Sequence, residues 1–504
     1  MSLNLESIHN FKGKFPKQIW SLFFSEMWER FCFYGMRGML VFFMIHQLDF
    51  KEAEANSQYA ATQAFVYAFT FVGGLIADKI LGFRKSLFWG GLLMVVGSTV
   101  LAVDPHRFFF IGISFIIVGT GFFKPNISSM VGKLYKKNDV RRDAGFSLFY
   151  AGINLGALLG GYICVAIGKG FMFSSFIPES SRWNVAFGLA SMGMVMSLVN
   201  FYFAQNSLGP IGLSPEGKHR VSSGGNRLRK QDLYVYIGTF AAVPVIRMMV
   251  SETQYTDYFM FTIGPFTLLY FFWEMSKVNR SARKKLLAAL VFMFFSIFFW
   301  GIFEQSGGSM SIFADKNLSH YLLGVKLDPN GVNNSGGALF IILLAPIFGL
   351  LWIWLNKRKW EPDAAVKFGI GFIFLGLGFC VLFATRFFSE NGIASLEIFT
   401  LSLLVITLGE LCLSPIGLSV MTKLATEKLQ GIMMGMWFLS SAYGQYVAGI
   451  IGERIASVGE GATPEVRLIT YTEGYKILGM YALAAGILLV SVSPWIKKLM
   501  QGVR

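Results

Sequence analysis

Four ionisable side chains lie in the first long apolar segment of the sequence. They are Glu26, Glu29, Arg30 and Arg37. Three of them are aligned with Tyr34. The order Glu26, Arg30, Tyr34 and Arg37 has spacings of four, four and three residues, which places these side chains on one helical face. Each charge within a membrane span costs about 2.5–3.5 kcal/mol on insertion scales, so this face must border a protein interior or a wet cavity. Two interpretations follow: a static ion-pair network that locks helices together, or a pathway for charged solutes.

Three further ionisable residues lie deep in later apolar segments. Lys124 occurs in TGFFKPN, Glu304 in FFWGIFEQSGGS and Glu410 in LGELCLSP. Lys124 and Glu410 lie in opposite halves of the chain, as do Arg37 and Glu304, so opposite charges can pair in one conformation and separate in another. Helix packing rarely needs so many charges, which favours the functional interpretation. A proline or a glycine pair follows each of the three residues, which predicts interrupted helices.

The composition is that of a polytopic membrane protein. Of the 504 residues, 54% are apolar and only 14% are charged, whereas soluble domains carry about 25% charged residues. The net charge is 44 − 29 = +15, but its basic residues are concentrated in short segments between apolar spans, so it does not indicate a nucleic-acid partner. The cysteines Cys32, Cys164, Cys380 and Cys412 lie in apolar stretches without metal-ligand spacing, and we predict that they are buried hydrophobes.

Fourteen apolar segments are long enough to cross a bilayer. They are 18–47, 57–80, 86–103, 107–132, 144–168, 183–204, 233–250, 258–275, 286–312, 336–356, 367–387, 396–422, 431–456 and 472–496. Basic clusters recur in alternate loops, at 12–17, 79–85, 133–142, 218–230, 280–285, 357–359 and 497–498. The positive-inside rule then places both termini in the cytoplasm. No small-residue cleavage site follows the basic N-terminal segment, so we expect the first span to be retained.

The spans divide into two sets of six with a pair inserted between them. We predict a six-helix bundle in 1–205, a cytoplasmic linker and inserted helix pair in 206–282, and a second six-helix bundle in 283–504. The linker at 205–231 is rich in Gly, Pro, Ser and basic residues. Two six-helix halves joined by such a linker indicate an all-α secondary transporter.

Three motifs resemble those of the proton-dependent oligopeptide transporter family, within the major facilitator superfamily. Residues 26–35, EMWERFCFYG, are similar to the family signature E-x-x-E-R-F-x-Y-Y-G. Residues 149–156, FYAGINLG, are similar to the signature F-Y-x-x-I-N-x-G, and residues 73–85 resemble the superfamily's loop after the second span. The resemblance implies the major facilitator fold, and bacterial members carry two extra helices between the bundles.

The resemblance also implies a role for each ionisable residue. Arg37 and Lys124 would bind the carboxylate of a peptide, and Glu410 would bind its amino terminus. Glu304 would take up the coupled proton, with Arg37 as its partner. The residues that would link proton movement to the conformational cycle are Glu26, Glu29 and Arg30. The residues that would line the cavity are Tyr34, Tyr67, Tyr150, Asn154, Trp300, Ser414 and Trp437. The aromatic residues and Asn154 also have an ordinary alternative role in helix packing.

Two positions depart from the family pattern. Phe33 lacks the hydroxyl group of the first tyrosine in the signature, and Gly337 stands where many relatives carry an asparagine that touches the peptide backbone. We expect both departures to affect the preference for peptide side chains and the affinity for the peptide. Neither alters the coupling charges.

We therefore expect a proton-coupled symporter that imports di- and tripeptides by alternating access in the bacterial cytoplasmic (inner) membrane. Its partners would be peptides, protons and membrane lipid, with no cofactor, no metal, no nucleic acid and no obligate protein partner. One alternative is a related symporter for another small charged solute, such as nitrate or a peptide-like metabolite. A polytopic membrane enzyme is a remote alternative, because the sequence offers no nucleophile–base pair or metal cluster at membrane depth.

Overall fold

Long helices make up nearly the whole fold, which confirms the predicted all-α class. A computed structural model of the chain describes residues 4–136, 139, 141–214, 229–425, 429–456 and 461–502. The helices before the linker are α1 (Leu5–His9), α2 (Gln18–Gln47), α3 (Glu52–Ile76), α4 (Phe83–Val103), α5 (Pro105–Lys133), α6 (Arg141–Gly168) and α7 (Arg182–Ala204). Those after it are α8 (Lys230–Ser251), α9 (Thr253–Ser276), α10 (Arg280–Phe303), α11 (Ser309–Asn317), α12 (Pro329–Lys357), α13 (Ala364–Ala384), α14 (Leu396–Leu424), α15 (Gln430–Ile455) and α16 (Pro464–Leu499).

A helix lies at each of the predicted spans. Eleven helical segments of the described chain are long and apolar enough to cross a membrane. The total of fourteen crossings and the cytoplasmic location of the termini stay predictions. Most of the predicted basic linker falls on residues 215–228, which lie outside the described residues.

Side chains in the loops fix where several helices begin. The Asp104 carboxylate accepts a hydrogen bond of 3.0 Å from the backbone N–H of Arg107, and Pro105 occupies the first turn of α5. Asp328 accepts the same kind of bond from the N–H of Gly331 at the start of α12, again with a proline in the first turn. A carboxylate cap followed by proline satisfies an N–H group that the helix leaves open.

Two short β-hairpins interrupt the helical pattern. The strands are β1 (Tyr321–Leu322), β2 (Val325–Lys326), β3 (Ser389–Glu390) and β4 (Ile393–Ala394). Both pairs are antiparallel. The turn between β3 and β4 is Asn391-Gly392, with φ of 50° and 78°, as a tight two-residue hairpin requires. Neither hairpin was predicted from the sequence, although Asn391-Gly392 is the usual signal for the second one.

The described helices form two compact units. The first comprises Met1–Leu40 and Phe65–Glu252, and the second comprises Val41–Ala64 and Thr253–Arg504. Helix α8 therefore belongs to the first unit and α9 to the second. The predicted domain boundaries at residues 205 and 282 stay predictions.

Within the first unit, glycines of α6 let this helix approach the backbone of α2 closely. A methyl group at Gly156 would clash with the Met27 carbonyl and come within 2.8 Å of the Arg30 Cβ. A methyl group at Gly160 would clash with the Phe31 carbonyl. Small residues at such contacts are the usual means of close helix packing in membranes. The contact holds the charged stretch of α2 in place.

We predict that Gly156→Leu lowers stability more than the same change at Gly349. Overpacking in a close contact costs about 1–3 kcal/mol, whereas a Cβ at Gly349 in α12 would meet no atom within 4 Å. The measurement is the thermal unfolding midpoint of each variant in detergent, with Gly349→Leu as the control. Equal midpoints for the two variants would contradict the packing described here.

Candidate functional site

Arg30 lies between two buried carboxylates of α2. Its Nε atom is 3.1 Å from Oε1 of Glu26 and also contacts Oε2 of Glu29. Arg30 and Glu26 are 2% exposed, and Glu29 is fully buried. Lys124 of α5 interacts electrostatically with both carboxylates. Two anions thus face two cations within the first unit, which offsets part of the cost of burying each charge.

Phe33 packs against this cluster. The guanidinium carbon of Arg30 lies 5.3 Å from the centre of the Phe33 ring, and Phe33 is 3% exposed. Such a cation–π contact contributes about 0.5–2 kcal/mol, more where water is excluded. At the position where the signature has a tyrosine, the chain therefore offers a ring face to the arginine and no hydroxyl group.

Arg37 and Lys124, the two cations predicted to bind a peptide carboxylate, each lie over a tyrosine ring. The guanidinium carbon of Arg37 is 5.7 Å from the ring of Tyr34, and Nζ of Lys124 is 4.4 Å from the ring of Tyr67. All four residues are half-buried. A half-buried cation beside an aromatic face can bind an anion while the ring contacts the apolar part of a ligand.

The prolines near the buried charges do not interrupt their helices. Helix α5 continues through Pro125, and α14 continues through Pro415. The predicted interruptions at these two prolines are therefore wrong. A proline removes one intrahelical hydrogen bond, and neighbouring helices stabilise the continuous form. For α5 this neighbour is α3, because Gly73 packs on the backbone of Gly121 and Gly74 lies beside Pro125.

The helix is interrupted at Glu304, as predicted. Helix α10 ends at Phe303, the segment Glu304–Gly307 forms a 3₁₀ turn, and α11 begins at Ser309. Glu304 is 4% exposed. The backbone carbonyl of Ser306 accepts hydrogen bonds from Oγ of Ser311 at 2.9 Å and from Nδ2 of Asn333 at 2.7 Å. These side chains satisfy a carbonyl that the broken helix leaves open.

Gln305 connects the same turn to α15. Its Nε2 atom donates to the carbonyls of Ala448 at 2.9 Å and Gly301 at 3.1 Å, while its Oε1 accepts a bond of 2.7 Å from Ser309. Gln305 and Asn333 were not among the residues predicted from the sequence. An amide directly after the buried glutamate, and another within an apolar helix, are signals that could have found them.

The two predicted tryptophans have the contacts of packing residues. The Trp300 ring lies 5.5 Å from that of Phe299 and 5.2 Å from that of Phe303. A Cβ at Gly444 of α15 would come within 2.6 Å of the Trp300 Cβ, so the two helices meet closely there. Trp437 is 7% exposed. These contacts are consistent with the alternative prediction that the tryptophans serve in helix packing.

Asn154 donates a hydrogen bond to its own helix. Its Nδ2 atom lies 2.8 Å from the carbonyl oxygen of Tyr150, and its side chain is buried. Tyr150 is half-buried. Glu410 and Ser414 of α14 are also half-buried, and their spacing of four residues puts them on one helical face.

Polar side chains also hold Val41–Ala64 within the second unit. The His46 Nε2 atom lies 3.0 Å from Oδ2 of Asp315. Ser57 donates a hydrogen bond of 2.7 Å to Glu453, and Glu52 accepts one of 2.9 Å from Tyr471. These contacts were not predicted from the sequence, because each joins residues that are hundreds of positions apart.

The structure divides the predicted site residues between the two units. The first unit contains Glu26, Glu29, Arg30, Tyr34, Arg37, Tyr67, Lys124, Tyr150 and Asn154, and the second contains Trp300, Glu304, Glu410, Ser414 and Trp437. The roles assigned to these residues, including an Arg37–Glu304 partnership, stay predictions. Within the described part of the chain, no three His, Cys, Asp or Glu side chains are grouped so that they could hold a metal ion.

Residues 84–465 match the model of the POT family. The chain belongs to the POT family. It is therefore a multi-pass integral membrane protein of a transporter family, not an enzyme, and its bacterial relatives fit a location in the inner membrane.

Individual transporters resemble this chain over most of its length. The peptide transporter YePEPT of Yersinia enterocolitica is 34% identical over 87% of this chain and 88% of its own. A solved peptide transporter POT mutant in complex with alafosfalin is 32% identical, with a TM-score of 0.81 over 99% of this chain and all of that chain. A POT family transporter in complex with 5-aminolevulinic acid is 29% identical, with a TM-score of 0.79 over 98% of this chain and all of that chain.

We predict that Arg30→Met destabilises the protein strongly. Removing one partner of a buried ion pair costs about 3–5 kcal/mol, because the remaining charge is left buried. The control is Lys277→Met, which removes an ion pair of 2.7 Å between Lys277 and Glu274 in which the lysine is 45% exposed. Exposed pairs contribute about 0–1 kcal/mol.

The measurement is again the thermal unfolding midpoint in detergent. Adding Glu29→Gln to Arg30→Met should recover part of the loss, since it removes one of the unpaired charges. A midpoint for Arg30→Met as high as that of Lys277→Met would show that the cluster is not held by this arginine.

Proposed function

We propose that this protein is a proton-coupled symporter that imports di- and tripeptides by alternating access. Its family membership and the names of its relatives support peptide transport. The observation that carries the proposal is the placement of Arg37 and Lys124. Each half-buried cation lies over a tyrosine ring in the unit that also contains the buried carboxylates Glu26 and Glu29.

The chemistry of a short peptide suits these side chains. Every zwitterionic peptide has a carboxylate and an ammonium group, whatever its side chains are. We propose that Arg37 and Lys124 bind the carboxylate and that Glu410 binds the ammonium group. Fixed charges can thus select for the ends of the peptide, while aromatic residues tolerate varied side chains between them. Alafosfalin and 5-aminolevulinic acid, the ligands of the two solved relatives, each also carry an amino group and an acidic group.

We further propose that Glu304 takes up the coupled proton. Its carboxyl group is buried at a helix break whose backbone is held by Asn333 and Gln305. A buried carboxylate is ionised only where a cation compensates for lost hydration. If Arg37 leaves Glu304 to bind the substrate carboxylate, the protonated form of Glu304 becomes favourable. Substrate binding and proton uptake are then coupled.

A second candidate is symport of another small charged solute, such as a peptide-like metabolite or nitrate. Two observations support this second candidate. A Cβ at Gly337 would meet only Oγ1 of Thr407, at 3.8 Å, so the position offers space and no amide. The relative bound to 5-aminolevulinic acid has a ligand that is not a peptide. Competition of labelled dialanine uptake by dipeptides, 5-aminolevulinic acid and nitrate distinguishes the candidates, because the true substrate displaces the label.

We predict that Glu304→Gln abolishes proton-driven accumulation and preserves counterflow exchange. The amide keeps the shape of the carboxyl group but cannot take up and release the proton. Both activities are measured with labelled dialanine in proteoliposomes, with and without a pH gradient. Glu390→Gln, at an exposed position of β3, is the control and should behave as the wild type. Normal accumulation by Glu304→Gln in a pH gradient would exclude the coupling role.

We predict that Lys124→Ala and Glu410→Ala each reduce dialanine uptake by more than about tenfold. Removing one partner of a buried charge pair costs about 2–5 kcal/mol of binding free energy. The matched controls are Lys357→Ala and Glu390→Ala, which remove the same charges at exposed positions. Uptake below saturation is the measurement. Unchanged uptake in either test variant would remove that residue from the proposed site.

A further inference from the structure

An apolar cleft of about 610 Å³ lies between α3 and α8 in the first unit. Its lining includes Phe69, Val72 and Ile76 of α3, Phe122 of α5, and Tyr234 and Gly238 of α8. The spacing of three and four residues along α3 places its members on one helical face. Val72 is 40% exposed and Tyr234 is 70% exposed, so the cleft opens at the surface of the unit. Both helices are among those that are long and apolar enough to cross a membrane.

One end of the cleft is basic. Lys79 and Gln231 line it there, and both are exposed. The neighbouring Asp232 is buried and pairs with Nζ of Lys85 at 2.6 Å and Nη2 of Arg229 at 2.8 Å. Arg229 also donates to the carbonyl of Ile80. The beginning of α8 is thus bound to the π-helical turn Ala77–Leu81 that ends α3.

The charges at this end do not cancel. The ionisable groups of the segments 78–85 and 229–232 are five cations and two anions, which leaves 5 − 2 = +3. The cations are Lys79, Arg84, Lys85, Arg229 and Lys230, and the anions are Asp78 and Asp232. The Nε atom of Arg84 donates to the carbonyl of Ile211 at 2.7 Å. An apolar cleft that ends in excess positive charge matches an amphipathic anion.

We propose that this cleft binds one anionic phospholipid of the phosphatidylglycerol type. An acyl chain would lie along α3 and α8, and the phosphate would contact Lys79 and Gln231. The ten steps from Phe69 to Lys79 span about 15 Å at 1.5 Å per residue, which is long enough for most of an acyl chain. Basic residues near the membrane surface attract anionic headgroups. The proposal does not depend on which solute the protein transports.

Gly238 provides the second structural argument. A glycine inside a helix costs about 1 kcal/mol relative to alanine, and a Cβ at Gly238 would meet no atom within 4 Å. No described neighbour therefore requires a glycine at this position. The missing side chain widens the cleft, which provides space for an acyl chain. Lipid bound there would brace α8 against α3.

The test is native mass spectrometry of the full chain purified in detergent. Equal concentrations of dioleoyl phosphatidylglycerol and dioleoyl phosphatidylcholine are added to the wild type and to each variant. We expect the wild type to retain one phosphatidylglycerol in preference to phosphatidylcholine. Lys79→Gln should reduce this preference about fivefold. Gly238→Trp should fill the cleft and reduce the retention of both lipids.

Matched controls separate the cleft from the rest of the lipid-facing surface. Lys357→Gln removes an exposed charge at the end of α12, and Gly349→Trp adds a ring in open space on the same helix. Both should retain phosphatidylglycerol as the wild type does. Equal retention of the two lipids by the wild type would overturn the proposal, as would an unchanged preference in Lys79→Gln. Because Lys79 is exposed, that variant tests the proposal even if Gly238→Trp does not fold.

Discussion

The cost of a charge in a membrane helix is the constraint on which the first unit depends. Arg30, Glu26 and Glu29 are almost completely excluded from solvent, so none of them is stable there alone. The three groups pair within α2 itself, but their interaction with Lys124 of α5 requires α2 to be fixed in rotation. The close contact of α2 with Gly156 and Gly160 of α6 fixes it. Helix packing and charge pairing therefore depend on each other in this unit, and weakening one weakens the other.

In the second unit, the polar groups that are costly to bury belong to the backbone. The turn at Glu304 exposes polar groups that a continuous helix would satisfy, and a lipid environment offers them no water. Ser311 and Asn333 supply the missing partners for Ser306, and Gln305 extends the network to α15. The buried carboxyl group of Glu304 is thus carried on a rigid break. A rigid support suits a group that must meet its partners at defined positions.

The sequence was sufficient for properties that depend on local pattern. Hydropathy located the helices, and the polar run with two glycines located the break at Glu304. Properties that depend on a neighbouring helix could not be predicted from the sequence. Pro125 leaves α5 continuous because α3 packs beside it. No local pattern specifies this contact. The residue roles implied by family resemblance require functional measurements of their own.

The inserted helices illustrate the same limit. In sequence, α8 and α9 form a pair separated by Glu252 alone. In the structure, α8 is bound to the first unit through Asp232, whereas Tyr446 of α15 binds Asp257 of α9 at 2.5 Å within the second unit. Each helix is thus anchored by polar contacts to a different unit. Hydropathy marks α8 and α9 as two neighbouring spans, whereas their polar contacts place one helix in each unit.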